Sequence, residues 1–266
     1  MTSQTPGLTP EQRHAFDTRG CVRLDGAIPR RDAEAMADRL WADLARRHGL
    51  RKGAPETWTT ARPFGHQAIQ ASGAFAPMAS PAVQSALDDL MGPGAWAVPD
   101  KWGQPLVCFP TPDVAWTVPH QIWHLDGPAE PGDHIRLGRV FALLAPLAPR
   151  GGGTLMAEGS HRLVQALVAQ HGAVLKSGDT RTRLKALHPW FSDLMSAGGD
   201  PDERTSLFME TTTLAGHVEL RVTEMTGEPG DVWLMHPDML HAPAPNVLAA
   251  PRLVVTQFVS PKAAAV

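Results

Sequence analysis

The chain has no tyrosine and only two cysteines, Cys21 and Cys108, in 266 residues. Two thiols in so long a chain make no disulfide framework, and reduced thiols in a cytoplasm are the expected state. There is no run of about 18 apolar residues, so no membrane span is expected. The opening, MTSQTPGLTPEQRHAFDTRG, is polar and lacks the apolar stretch of a secretory signal, which points to a cytoplasmic protein. Basic charge is not in excess: Lys plus Arg number 24 against 27 Asp plus Glu, a net charge of −3. Without a basic field to hold a phosphate backbone, a nucleic-acid partner is not expected. Repeats and low-complexity segments are missing too. What is present is apolar mass, 43% of residues, with 8 Trp for the large aromatic packing that Tyr does not share, and 12 His. That mass suffices for a sizeable core, and a β-rich chain of this length is often a single domain.

The N-terminal part reads helix, strand, helix. Thr9-Pro10-Glu11 carries a cap followed by proline at the first helical position, opening a helix over residues 9–18 that Gly20 ends. Residues 21–25 alternate as a strand. Residues 32–47 place Ala35, Met36, Leu40, Trp41 and Leu44 at three- and four-residue steps, with Arg46, Arg47 and Gly49 as a helix end. Residues 50–80 read mostly as loop and 81–90 as a short helix. From Trp96 on, short apolar segments are broken by Pro and Gly: QPLVCF, WTVPHQIWHLD, GRVFALLAPL, GTLMAEGSH, HVELRVTEM, GDVWLMH and RLVVTQFV. Strands at this spacing predict a sandwich or barrel. Residues 163–210 interrupt them with helical pieces and a polar loop, SAGGDPDERTS, and so long an insertion predicts a lid or a substrate wall.

Chemistry concentrates at WHLDG. On a strand, residues two apart share a face, so His124 and Asp126 aim an imidazole and a carboxylate at one point. A third ligand is available from GDVWLMHPDMLHAPAPN, which holds His236 and His241. Two histidines and one carboxylate on one face of an octahedron form the facial triad of non-haem Fe(II) oxygenases. Arg252 opens the alternating strand RLVVTQFV, in which Arg252, Val254, Thr256 and Phe258 share a face. A guanidinium near such a pocket is placed to grip a carboxylate. A bare His-x-Asp pair is weak, and pairs of unrelated polar residues are far commoner. Gly151-Gly152-Gly153 is a tight turn without the Lys-Ser/Thr end of a phosphate loop, Ser160-His161 has no third catalytic member, and Lys176, Arg181, Arg183 and Lys185 read as a solvated helix face.

Together these segments resemble the phytanoyl-CoA dioxygenase family of Fe(II)/2-oxoglutarate-dependent oxygenases. The resemblance runs from LTPEQRHAFDTRGCVRLDGAIPRRDAEAM through WHLDG and APRGGGTLMAEGSHR to PGDVWLMHPDMLHAPAPN and the following Pro251-Arg252. It implies a mainly β chain with flanking helices and a double-stranded β-helix (jelly-roll, cupin-like) core. It implies Fe(II) on His124, Asp126 and His241, with His236 a core histidine, and Arg252 on the distal carboxylate of 2-oxoglutarate. Two positions depart from the family: Pro243 stands where a serine often helps hold that carboxylate, and Val140-Phe141-Ala142 where a Trp is common. Thr154, Thr256 and Gln104 are the candidates for a replacement contact. His120, Trp123, Arg136 and Arg139 are candidate substrate contacts, with packing the commoner role for Trp123 and a solvated edge for the two arginines.

The implied reaction is hydroxylation of an unactivated C–H bond with O2, releasing succinate and CO2. Halogenating relatives lack the carboxylate that Asp126 supplies, so its presence favours hydroxylation. The rival readings are a cupin-like isomerase or lyase using its metal only as a Lewis acid, which needs no Arg252, and a non-catalytic binding protein. The substrate wall is expected in residues 55–80, 127–138 and 172–215. With no site for the phosphates of coenzyme A in view, a small metabolite or natural-product intermediate is the expected substrate.

Overall fold

A computed structural model describes residues 7–111, 113–132 and 138–262. The N-terminal helix α1 spans Pro10–Arg19. Thr9 caps it in a capping box with Gln12, and Gly20 ends it at φ 84°, a backbone conformation that costs glycine nothing. Strand β1 is Cys21–Leu24 and α2 is Arg30–His48, whose buried stripe includes Met36, Leu40, Trp41 and Leu44. The stretch expected to be loop holds one short α-helix, α3 (Gln67–Ala71), and two single-turn 3-10 helices, Pro55–Thr57 and Ala76–Met78, and α4 spans Pro81–Met91 behind a Ser80 cap.

Strands β2 (Gln104–Cys108), β3 (Gly138–Leu143) and β4 (Thr154–Glu158) follow. Helices α5 (Ser160–His171), α6 (Ser177–Leu187), α7 (Pro189–Leu194) and α8 (Pro201–Thr205) come next, α8 running into a π-helical turn, Ser206–Glu210. The chain closes with β5 (Thr213–Ala215), β6 (Val218–Glu224), β7 (Val232–Met235), β8 (His241–Pro243) and β9 (Arg252–Val259). None of the described helices is long and apolar enough to cross a membrane.

The strands form two antiparallel sheets. The first has the order β1-β7-β3-β9-β2 and the second β5-β6-β4-β8. The last four strands alternate between them, β6 and β8 in the second sheet and β7 and β9 in the first, and the two facing sheets form the double-stranded β-helix, or jelly roll. Alternation along each strand sorts the side chains into three apolar clusters. Phe141, Leu143, Met156, Met235 and Val254, drawn from both sheets, fill the space between them. Val140, Val232, Leu253 and Val255 pack outward against α2 and α4. Ala157, Leu220, Val222 and Ala242 pack outward against the helical run, chiefly Val164, Leu184, Trp190 and Phe191.

Two expectations are corrected. Residues 116–126 do not form a strand. Pro119 donates no N–H, and Ile122 sits at φ 66°, a left-handed conformation unfavourable for a β-branched residue. What remains of the ladder is one antiparallel bridge, His124 with His241, whose two N–H···O bonds measure 2.9 and 3.0 Å. The second correction is the polar loop at 196–206, much of which is helix α8. Asp200 caps it in a box with Glu203, and Pro201 opens it, a start signal that its polar composition hides.

Two buried positions at the start of α5 make predictions. Gly159 lies at φ 78°, and a Cβ there would collide with the Glu219 carbonyl. Gly159→Ala should cost about 2–3 kcal/mol of stability. Gly172→Ala, at a similar φ of 70° with open space around it, should cost only about 1 kcal/mol. Thermal unfolding of the two variants checks this, and equal losses would contradict it. Next along the chain, Ser160 accepts the Leu240 N–H and His161 donates from Nε2 to the Asp17 carbonyl, both structural roles. Burial pushes the His161 imidazole down to about 4. A depressed histidine disfavours folding only when the unfolded chain binds a proton that the native state refuses. Stability should therefore be intact above pH 6.5 and fall towards pH 4, by up to about 1.4 kcal/mol per pH unit. His161→Phe should flatten that limb of a stability-against-pH curve; an unchanged slope would refute the assignment.

Candidate metal centre

His241 opens β8, and the single bridge sets His124 directly against it, with ring centroids 4.3 Å apart. Each ring is fixed in the same way. Nδ1 of His124 donates to the Ile122 carbonyl at 2.8 Å, and Nδ1 of His241 donates to the Met239 carbonyl at 3.0 Å. A carbonyl only accepts, so the proton sits on Nδ1 and the lone pair of each ring on Nε2. Asp126 completes the group. Its Oδ1 lies 3.9 Å from His124 Nε2 and 3.6 Å from His241 Nε2, and the three ligand atoms fall within 4.8 Å of one another. Two-residue spacing thus brings His124 and Asp126 together even without a full strand. This is the one such cluster among the described residues.

The electrostatics suit a cation. Burial, and then the neighbouring His241, hold the His124 imidazole below its ordinary value, so it stays neutral and able to donate its lone pair. Burial alone would raise the Asp126 carboxyl, but His241, Arg139 and His124 more than offset it and hold the group below the usual range. The centre is open on one side only: the His124 side chain is 40% exposed, while those of Asp126 and His241 are at 12% and 5%.

Helix α6 supports this segment from behind. Ser177 Oγ accepts the Leu125 N–H at 3.0 Å, and Arg181 donates to the Trp123 carbonyl at 3.2 Å. None of the described residues lining the cavity over the centre comes from 163–210. That run packs on the outer face of the second sheet instead of forming a lid or wall there.

The cavity has a volume of about 530 Å³. Arg252 lies in its wall, 8% exposed, with Nη1 donating to the Gly152 carbonyl at 2.5 Å and Nε without a hydrogen-bond partner among the described residues. The Gly-rich turn is what holds that carbonyl. Glu224 accepts the N–H groups of Arg150 and Gly153, at 2.8 and 3.1 Å, and clamps the turn. Thr154 and Gln104 also line the cavity, as do Pro243 and Phe141 at the two positions that depart from the family pattern. Arg139 lines it beside Asp126. Thr256 does not: its hydroxyl, 1% exposed, donates to the Val140 carbonyl.

Two expected substrate contacts lie elsewhere. Trp123 is 1% exposed, packed in the cluster behind the second sheet with its indole N–H on the Pro119 carbonyl. His120 faces a separate groove of about 240 Å³ with Ile122 and Lys185. The positive φ at Ile122 breaks the alternation that would have aligned His120 with His124. Arg136 lies outside the described residues. His236 is a core histidine, its ring 4.9 Å from that of His161, with Nδ1 accepting the Asp238 N–H. Of the three stretches expected to form the substrate wall, 55–80 supplies cavity-lining residues, and the described residues of 127–138 and 172–215 supply none. Arg62, Phe64, His66 and Gln70 are among the residues that line the cavity. His66 anchors this wall through Asp43 Oδ2, 3.3 Å away on α2, and no motif marks that long-range pair.

No protein-family model matches the chain, and no curated protein matches it in sequence. Solved structures do match in shape. EctD from S. alaskensis, solved with 2-oxoglutarate and 5-hydroxyectoine, aligns with a TM-score of 0.56 at 18% identity, covering 98% of this chain and 78% of its own. HygX from Streptomyces hygroscopicus, solved with nickel and 2-oxoglutarate bound, aligns at 0.54 and 15% identity, over 97% and 88%. SnoK, a non-heme alpha ketoglutarate dependent carbocyclase from nogalamycin biosynthesis, aligns at 0.53 and 14% identity, over 96% and 84%. The chain shares their fold. At such identities the likeness extends to the jelly roll, and the chemistry has to be argued from this chain's own side chains.

Proposed function

We propose that this chain is an Fe(II)- and 2-oxoglutarate-dependent oxygenase, acting as a hydroxylase on a small metabolite or natural-product intermediate and releasing succinate and CO2. The observation that carries the reading is the meeting, in one cavity, of three convergent ligand atoms and the buried guanidinium of Arg252. His124, Asp126 and His241 would hold the metal. Two imidazoles and one carboxylate suit Fe(II), and the Nδ1–H bonds to backbone leave both Nε2 atoms to the centre. The bound metal, with 2-oxoglutarate and O2, supplies the oxidising chemistry.

The protein's part is binding and orientation. Arg252 would take the distal carboxylate of 2-oxoglutarate as a charge-assisted partner. Its Nη1 bond to Gly152 fixes the plane of the guanidinium, and Nε is still to be satisfied. Thr154 and Gln104 would supply the secondary contacts that Pro243 cannot. Asp126 turns Oδ1 to the two histidines and Oδ2 towards Arg139, so one oxygen is offered at the centre. Phe141 and Leu106 keep the floor apolar. Helix α6 holds the His124–Asp126 segment through Ser177 and Arg181, which gives the helical run a supporting role.

The solved neighbours that carry 2-oxoglutarate support this reading. The test is incubation with Fe(II), 2-oxoglutarate and ascorbate in air, with succinate measured. A slow uncoupled release without substrate is expected, rising several-fold when candidate small molecules include the true one. Metal binding without any consumption of 2-oxoglutarate would favour the Lewis-acid or non-catalytic alternative.

A further inference from the structure

Arg139 has so far figured only as the neighbour of Asp126 Oδ2. It is 8% exposed, and its guanidinium lies over the Phe258 ring at 3.7 Å and near the Phe141 ring at 5.0 Å. Strand register explains the stack, because Arg139 and Phe258 are cross-strand partners on β3 and β9. Stacking fixes the plane of the group but satisfies none of its N–H donors. Nε and Nη1 are both buried without a hydrogen-bond partner among the described residues. Asp126 Oδ2 stands 3.5 Å from Nε as an ion-pair partner and accepts no hydrogen bond among the described residues. Buried guanidinium donors are costly to leave unsatisfied, so a ligand that completes them binds with that advantage.

Charge points the same way. Among the described residues lining the cavity, Asp126 is the one carboxylate, facing Arg62, Arg139 and Arg252. A divalent metal and dianionic 2-oxoglutarate cancel each other. Arg252 is then engaged by the co-substrate, and Asp126 is shared between the metal and Arg139, so the buried Arg139 has only part of a counter-charge, while the exposed Arg62 is screened by water. A neutral or cationic substrate would leave the buried Arg139 undercompensated.

We propose that Arg139 anchors the substrate, which is a carboxylate: the carboxylate accepts from Arg139 Nη1 on the stacked guanidinium and so sets an adjacent C–H beside the metal centre. This rests on the function proposed above and names the substrate class of the same site. A planar carboxylate suits a guanidinium held flat on an aromatic ring, because the remaining donors lie in the guanidinium plane.

The test uses benzoate and its neutral isostere benzamide as probes, by calorimetry on protein saturated with Zn(II) and 2-oxoglutarate so that Arg252 is occupied. Wild type should bind benzoate roughly tenfold or more tightly than benzamide. Arg139→Gln should erase that preference, and Arg139→Lys, which keeps the charge and guards against a folding artefact, should retain part of it. Equal binding of the two probes by wild type, no benzoate binding at all, or a preference that survives Arg139→Gln would each overturn the proposal. So would a loss of 2-oxoglutarate affinity in Arg139→Gln with benzoate binding untouched, which would give Arg139 to the co-substrate. If wild type fails to bind Zn(II) and 2-oxoglutarate, the function reading is what fails. The benzoate preference is then read in the metal-free protein, wild type against Arg139→Gln.

Discussion

Replacing His241 with alanine should abolish metal-dependent turnover and weaken metal affinity by more than about a hundredfold, since losing even a residue that only supports a ligand costs tens of fold. His241 is the least exposed of the three and the one nearest the Asp126 oxygen, at 3.6 Å. Its backbone also pairs with His124, so it places one ligand and is another. Alanine keeps those backbone bonds, and the loss should therefore appear in metal stoichiometry with little change in the far-ultraviolet circular dichroism. His236→Ala gives the contrast. That ring packs near His161 and Phe16, so the variant should lose thermal stability and still bind metal with full stoichiometry. Calorimetric titration with Zn(II) separates the two. Full metal binding by His241→Ala would move the third ligand elsewhere.

Arg252→Ala should leave metal binding intact and raise the KM for 2-oxoglutarate by about a hundredfold, because truncating a buried charge partner costs roughly 2–5 kcal/mol. The effect should be large because the guanidinium is buried and oriented by Gly152 before any ligand arrives. Arg252→Lys should fall between the two, since an ammonium keeps the charge and loses the planar fork. Steady-state succinate release at varied 2-oxoglutarate reads this. An unchanged KM would remove Arg252 from the co-substrate site and weaken the case against a Lewis-acid enzyme.

Legibility from sequence followed how local the physics was. RLVVTQFV forms β9 over Arg252–Val259 because its alternation needs no outside information. Helix α1 is readable from its Thr9-Pro10 start and its Gly20 end for the same reason. The segment around WHLDG misleads in detail. Its apolar content suggests a strand, but Pro119 and the left-handed Ile122 leave a single bridge and turn Trp123 and His120 away from the cavity. His124 and Asp126 still share a side because that requires only two residues of extended backbone. The wall at Arg62, Phe64 and His66 carries no motif, because its place is set by an Asp43–His66 contact across 23 residues. The clamp on Arg252 is equally invisible: it depends on a backbone carbonyl at Gly152 and on Glu224, which faces the turn from another strand. Residue type alone does not distinguish Thr256, whose hydroxyl is spent on the Val140 carbonyl, from Thr154, which faces the cavity.

The central claim is that His124, Asp126, His241 and Arg252 form one Fe(II) and 2-oxoglutarate site. Anaerobic addition of Fe(II) and then 2-oxoglutarate tests it most directly, read by visible absorption. A 2-keto acid chelated to Fe(II) gives a weak charge-transfer band. The account predicts that band in wild type, its absence in His241→Ala, and its recovery in Arg252→Ala only at far higher 2-oxoglutarate. Fe(II) bound by wild type with no band at any 2-oxoglutarate concentration would contradict it.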